Sequence, residues 1–167
     1  MQIQSVMFAS PAYDEMVQLR INNLYIPLNA DIDPENFASE YKDVHLGVYC
    51  SENGLIGALK ARVLEENDEF LIRRKVALFK QIVIRKDLQR KGFGSKIFAE
   101  LEDLLISKGY KEVRFQAHSG AVEFYEKLGF QKQGKVFKEE GIFQLIYRKK
   151  IQETSKKVEL FEAVLNG

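Results

Sequence analysis

The chain has 167 residues, of which 46% are hydrophobic and 29% charged, with a net charge of +1. That length favours one domain, 1–167, with its own core, and the composition argues against disorder and membrane embedding. The near-neutral charge argues against a nucleic acid or a membrane surface as a partner held by bulk electrostatics. Cys50 is the one cysteine, so neither an intrachain disulfide nor a multi-cysteine metal site is expected, which suits a reducing compartment. No apolar run approaches the ~18 residues of a membrane span, and Met1–Ser10 lacks the basic-then-apolar pattern of a secretory signal. A cytoplasmic protein is the expectation.

Gln2 to Phe8 alternates loosely and ends at Ser10-Pro11, an N-cap residue followed by the imino acid suited to a first helical position. Tyr13, Met16, Val17 and Leu24 fall on one face of the helix that follows. Arg20 shares that face, either as an ion-paired or snorkelling side chain or as a residue lining a site. Pro27 to Asp43 is loop-like, with a short helix near Pro34 to Tyr41; a loop of this length in a compact domain is more often functional than not. Val44–Cys50 and Leu55–Leu64 read as a hairpin around Asn53-Gly54, and Glu65 to Glu69 as an acidic turn. Val76 to Ile84 is a nearly continuous apolar strand, central in its sheet and interrupted by Lys80 and Gln81.

Next come a glycine turn, a helix from Ser95 to Lys108 with Ile97, Leu101, Leu104 and Leu105 at helical spacing, and a strand from Glu112 to Ala117. Strand, turn, helix and strand make a βαβ unit, so its two strands are parallel. Ser119 to Leu128 is a short helix, and Phe130–Lys138 and Ile142–Lys150 form an antiparallel pair around Glu139-Glu140-Gly141. Thr154 to Leu165 forms an amphipathic helix in a tail over 152–167; it either closes the monomer or docks on a second copy, as in a homodimer.

The chemistry concentrates at Gln89-Arg90-Lys91-Gly92-Phe93-Gly94-Ser95. Two glycines in a basic strand-to-helix turn let main-chain N–H groups and a helix N-terminus meet an anion, above all phosphate. Arg85, Lys86 and Lys96 add charge nearby, although basic residues at a turn also occur as a solvated patch. The loop lacks the Lys-Ser/Thr ending of a P-loop. It also lacks the third glycine or alanine of a dinucleotide fingerprint, since Ile97 stands there. A Gly-x-Gly turn that merely connects strand to helix, with no ligand, is the remaining alternative.

Gln89-Arg90-Lys91-Gly92-Phe93-Gly94 resembles the Gln/Arg-x-x-Gly-x-Gly/Ala pattern of the GCN5-related N-acetyltransferases. Downstream, Ala121-Val122-Glu123-Phe124-Tyr125-Glu126-Lys127-Leu128-Gly129-Phe130 resembles that family's A-x-x-F-Y-x-x-x-G-F segment. Val136-Phe137-x-Glu139-x-Gly141-Ile142 further resembles a small bacterial-type branch, in which Gln144 stands where a histidine is common. The resemblance implies an α+β fold: an α/β/α sandwich on a twisted, mixed, mostly antiparallel sheet, with a parallel βαβ unit and a V-shaped splay at an acetyl-CoA site.

It also implies residue roles. The amides from Arg90 to Ser95 would wrap the CoA pyrophosphate, Ile82, Val83 and Ile84 would pair through their backbone with the pantetheine arm, and Phe124 would pack nearby. Tyr125 would be the general acid that protonates the departing thiolate, in direct transfer to a primary amine, a small-molecule amine being favoured over a protein tail. A tyrosine with a pKa of about 10 is protonated at neutral pH and can donate. The family pattern supplies no base. By pKa the candidates are His118, just past the Glu112–Ala117 strand, and then His45, with Glu139 and Glu140 as lesser ones. Arg20, Tyr25, Tyr41 and Glu139 are candidate acceptor-lining residues, and Gln81 and Gln116 could bond the substrate from inside the sheet. No metal ligation is expected. The same loop without the chemistry would make a non-catalytic acyl-CoA-binding regulatory module.

Overall fold

The computed structural model describes residues 1–67 and 73–152. Seven strands form one sheet in the order β1-β2-β3-β4-β5-β7-β6. The strands are β1 Gln2–Val6, β2 Val44–Cys50, β3 Gly54–Asn67, β4 Arg73–Ile84, β5 Glu112–His118, β6 Gln131–Glu139 and β7 Ile142–Lys150. Among the described residues only β4 and β5 pair in parallel; every other neighbouring pair is antiparallel. The acidic turn expected from Glu65 is replaced at its start by strand, since Glu65 pairs with Lys75 and Glu66 with Arg74. The remainder of that turn and the helix expected over Thr154 to Leu165 lie outside the described residues.

Helices cover both faces. α1 (Pro11–Arg20) starts where Ser10 accepts from the Tyr13 amide, as its capping sequence implies. Its Tyr13, Met16 and Leu19 pack with Val6, Ala58 and Val83 on one face of the sheet. The chain then passes through a π-helical turn, Ile21–Tyr25, to α2 (Pro34–Ala38), capped by Asp33. α3 (Phe93–Ser107) and α4 (Val122–Lys127) cover the other face, where Ile97, Phe98, Leu101, Leu105 and Tyr125 pack against Phe79, Val113, Phe115 and Tyr147. α3 begins at Phe93, two residues before the expected Ser95, because Gly92 takes φ +81 and turns the chain directly into the helix. No helix of the described residues is long and apolar enough to cross a membrane.

Two irregularities at the centre of the sheet create the site. Parallel pairing of β4 with β5 runs from Val76↔Glu112 to Lys80↔Gln116 and stops, although β4 continues to Ile84 and β5 to His118. The strands therefore part at their C-terminal ends, where ligands bind in open parallel sheets. On the other side of β4, Ala58 pairs with Val83 and Lys60 with Lys80, so Leu59 alone faces both Gln81 and Ile82. This is a β-bulge, with Gln81 at φ +52, a conformation that costs a non-glycine residue on the order of 1–3 kcal/mol.

Candidate active site

The parted strands open into a cavity of about 680 Å³, a size suited to a small-molecule or cofactor ligand. Its walls include Ile82 and Ile84 from β4, Gln116, Ala117 and His118 from β5, Phe124 and Tyr125 from α4, and Gln89, Arg90, Gly92, Gly94 and Ser95 from the loop and the start of α3. Most of the predicted site residues are thus brought together. Val83 turns its side chain into the core under α1, because alternation along a strand sends it to the opposite face from Ile82 and Ile84. It can serve a ligand in the cavity only through its main chain. Lys91 is exposed and Phe93 packs against the main core; neither side chain forms the wall.

The loop holds its shape through its own contacts. Leu88, only 6% exposed, anchors it in the core, while Gln89 Nε2 donates to the Ile84 carbonyl at 2.8 Å. Arg90 at φ +60 and Gly92 at φ +81 reverse the chain. α1 and α2 have side-chain caps on their first-turn amides, but α3 has none. Its leading N–H groups therefore face the loop unsatisfied by any side chain, with the positive end of the helix dipole behind them. A Cβ at Gly94 would come 3.2 Å from the Phe124 ring and 3.4 Å from Ile84 Cδ1, so the absence of a side chain keeps this corner of the cavity open.

Tyr125 is 3% exposed and sits in an aromatic cluster with Phe98, Phe115, Phe130 and Tyr147. Burial, with a smaller contribution from Tyr147, holds its phenol well above the ordinary tyrosine pKa, so it stays protonated. His118 is half-buried, and burial pushes its imidazole below the ordinary histidine value; at neutral pH it is uncharged and able to accept a proton. His45 lies elsewhere, buried under α1 between Phe8 and Tyr13.

The far end of the cavity holds a polar network that the sequence hardly signals. Gln81 and Glu140 line the wall. Gln81 Nε2 donates to the Tyr25 hydroxyl at 2.5 Å and to Glu140 Oε2 at 2.8 Å, and the Tyr25 hydroxyl donates to the same oxygen at 2.6 Å. Gln81 Oε1 accepts from Arg20 Nη1 at 2.5 Å. Arg20 in turn forks onto both carboxylate oxygens of Glu40 at 2.9 and 2.8 Å. Arg20 is 1% exposed and Glu40 2%, so Arg20 is an ion-paired arginine behind the site and not a lining residue. Burial opposes its charge, but Glu40 outweighs that and holds the guanidinium protonated. Lys60 donates to Glu40 as well, at 2.9 Å.

Beside this network, Gln116 Nε2 donates to Glu139 Oε2 and, at 3.0 Å, to Gln144 Oε1. Lys80 Nζ lies 3.6 Å from Glu139. Tyr41 is exposed and takes no part. The sequence signals for this end were the polar break Lys80-Gln81 in an apolar strand and the glutamate pair before Gly141. The π-helical turn that delivers Tyr25 had none.

A family model described as an acetyltransferase (GNAT) domain matches residues 28–151. The Bacillus subtilis protein YyaT, described as uncharacterized, is 30% identical over 107 residues, covering 64% of this chain and 66% of YyaT, just under two thirds of its length. The crystal structure of a GNAT-family acetyltransferase from Staphylococcus aureus Mu50 superimposes with a TM-score of 0.68 at 12% identity, covering 90% of this chain and 99% of that one. The Escherichia coli ribosomal-protein-S18-alanine N-acetyltransferase gives 0.64 at 16% identity over 92% and 95%. A GNAT-family acetyltransferase from Elizabethkingia anophelis with acetyl-CoA bound gives 0.60 at 16% identity over 90% and 97%. At these identities the structural likeness speaks for the fold, and the family match, over well more than half of the sequence, assigns the chain: it belongs to the GNAT acetyltransferase family.

Proposed function

We propose that the protein transfers an acetyl group from acetyl-CoA to a primary amine by direct attack. The observation that carries this reading is the protonated, buried Tyr125 on the wall of a cavity that runs from an uncapped helix N-terminus into the gap between two parted parallel strands. The residues present fit the donor. Phosphate suits the unsatisfied amides at the start of α3 and the Arg90 charge. The open corner at Gly94 leaves room for a chain between Phe124 and Ile84. Acetyl-CoA bound to one structural neighbour supports the same choice.

When bound, the donor supplies an activated acetyl thioester. The main chain beyond the Gln81 bulge, freed from pairing with β5, offers N–H groups to polarise its carbonyl. The neutral amine attacks the carbonyl carbon and the C–S bond breaks. Tyr125 gives its hydroxyl proton to the departing sulfur, and His118 takes the proton released by the nitrogen.

The test is acetyl-CoA consumption against a panel of primary amines, with Tyr125→Phe as the control. Acetylated product from the native protein and slow turnover by the variant are expected. If CoA binds and no amine is acetylated, the protein is an acyl-CoA-binding module and the proposal fails.

A further inference from the structure

Among the described residues, Glu140 is the one carboxylate on the cavity wall. Its Oε2 accepts two hydrogen bonds, from Tyr25 and Gln81. Its Oε1 has no partner, and no lysine or arginine lies within salt-bridge distance, among the described residues. Its neighbour Glu139 differs in both respects, being exposed and already beside Lys80. The turn that carries Glu140 is also built to hold it: Glu140 itself takes φ +53, its carbonyl accepts from the Asp31 amide at 2.9 Å, and a Cβ at Gly141 would meet Asp31 at 3.0 Å. The loop after α1 therefore clamps the β6–β7 turn against the cavity.

A carboxylate fixed by two donors, half-buried and lacking a cation, attracts one. Arg90, the cationic wall residue, lies beyond the far end of the β4 segment that starts at Gln81. The cavity thus presents a positive end to phosphate and a negative end to whatever enters opposite. We infer that the acceptor is a dicationic amine, whose second ammonium or guanidinium group binds Glu140 while its neutral amino group reacts. The inference rests on the acetyltransferase reading above.

The spacing follows from the bonds. A glutamine side chain reaches about 5 Å from its Cα. With 2.8 Å from Gln81 Nε2 to Glu140 Oε2, the carboxylate stands within about 8 Å of the bulged main chain at which the amine reacts. That reach suits about three to five carbons between the two nitrogens. Leu24 and Ile142 on the wall offer apolar surface to such a spacer.

The experiment compares 1,4-diaminobutane with butylamine in acetyl-CoA turnover, and titrates the diamine calorimetrically into CoA-loaded protein. The native protein should favour the diamine in kcat/KM by tenfold or more. Glu140→Gln should bring that ratio close to one and abolish calorimetric diamine binding, while CoA still raises the melting temperature. Tyr25→Phe, which leaves the carboxylate with one donor fewer, should give an intermediate loss and serves if Glu140→Gln does not fold.

Equal kcat/KM for the two amines overturns the inference and leaves acetyl transfer standing; so does an equal slowing of both by Glu140→Gln. Diamine binding that Glu140→Gln abolishes, with no amine acetylated, overturns the transfer reading and the acceptor assignment with it. If CoA does not bind, the diamine is titrated into the protein alone, and absence of binding there overturns the inference.

Discussion

Tyr125 lies face to face with Tyr147, ring centroids 4.2 Å apart and planes 14° from parallel. The two hydroxyls are used differently. Tyr147 donates to the His118 carbonyl at 3.3 Å, whereas the Tyr125 hydroxyl donates to no protein group among the described residues. One ring is tied down and holds the other in place, leaving the second ring's proton for the cavity. Tyr125→Phe keeps this stack and removes only the donor. Its kcat should fall by about 10²-fold or more, with CoA affinity retained and stability changed by less than about 1 kcal/mol. Steady-state kinetics and a CoA thermal shift measure the two parts, and unaltered kcat would remove Tyr125 from the chemistry.

The pH dependence of kcat/KM should carry the same assignments. His118 must be uncharged to accept a proton, and burial depresses its pKa, so its limb should rise with pH below about 6.5, the ordinary histidine value. Tyr125 must be protonated, and burial raises its pKa, so no alkaline loss should occur up to about pH 10, the ordinary tyrosine value. An amine with a pKa of about 10.4 adds a rise across the neutral range as it loses its proton. A profile that falls between pH 8 and 10 would contradict the tyrosine role.

Gly94→Val tests the open corner of the cavity. The new Cβ would stand 3.2 Å from the Phe124 ring, tighter than ordinary contact, and the branched side chain would occupy the corner. KM for acetyl-CoA should rise at least tenfold while kcat at saturation changes less. Stability should drop by about 1–3 kcal/mol from the overpacking. A KM within twofold of the native value would mean that the donor lies elsewhere.

Arg20→Met should cost about 3 kcal/mol of stability, the lower end for breaking a buried ion pair. Glu40 would keep its bonds from Lys60 and from the Tyr13 hydroxyl. Gln81 would lose one of the partners that hold its strained bulge, so kcat should fall as well, without loss of CoA binding. Urea denaturation and kinetics on the same preparation separate the effects. Full stability would show that the pair contributes no more than a well-packed apolar side chain.

The legible parts of this fold are those coded by neighbours in sequence. α3 has apolar residues at helical spacing, and Ile97, Leu101 and Leu105 are buried as that spacing implies. Asn53-Gly54 turns β2 into β3, and the Gln89–Ser95 loop and the Phe124-Tyr125 pair bound one cavity. What stayed illegible depends on partners far apart in the chain. Glu40 looks like one more acid in a polar loop until Arg20 and Lys60, each twenty residues away, converge on it. Gln81 reads as a flaw in an apolar strand, because a bulge is a property of two strands in register and not of one.

Stability should fall as the solution is acidified, beginning with His45. This ring is 2% exposed, with Nε2 3.0 Å from the Glu40 carbonyl. Nδ1 is buried without a partner, close to Phe8 and Tyr13. A neutral imidazole fits, donating from Nε2; a second proton on Nδ1 would have no acceptor. Burial accordingly depresses the His45 pKa, and that of His118 too. For a group depressed on folding, the unfolded chain takes up the proton first. The stabilising contribution is therefore complete above the unfolded value of about 6.5 and is lost as pH falls toward the folded value. Glu40 follows at lower pH: burial raises its pKa, but Arg20 and Lys60 more than reverse that, so its contribution is lost below about 4.3, the ordinary glutamate value. Each proton taken up preferentially by the unfolded chain steepens the loss by about 1.4 kcal/mol per pH unit. Urea midpoints at pH 8, 7, 6 and 5 should be level over the first two and drop over the last two, and His45→Gln should flatten the drop. A midpoint unchanged down to pH 5 would mean that neither histidine is held neutral by the fold.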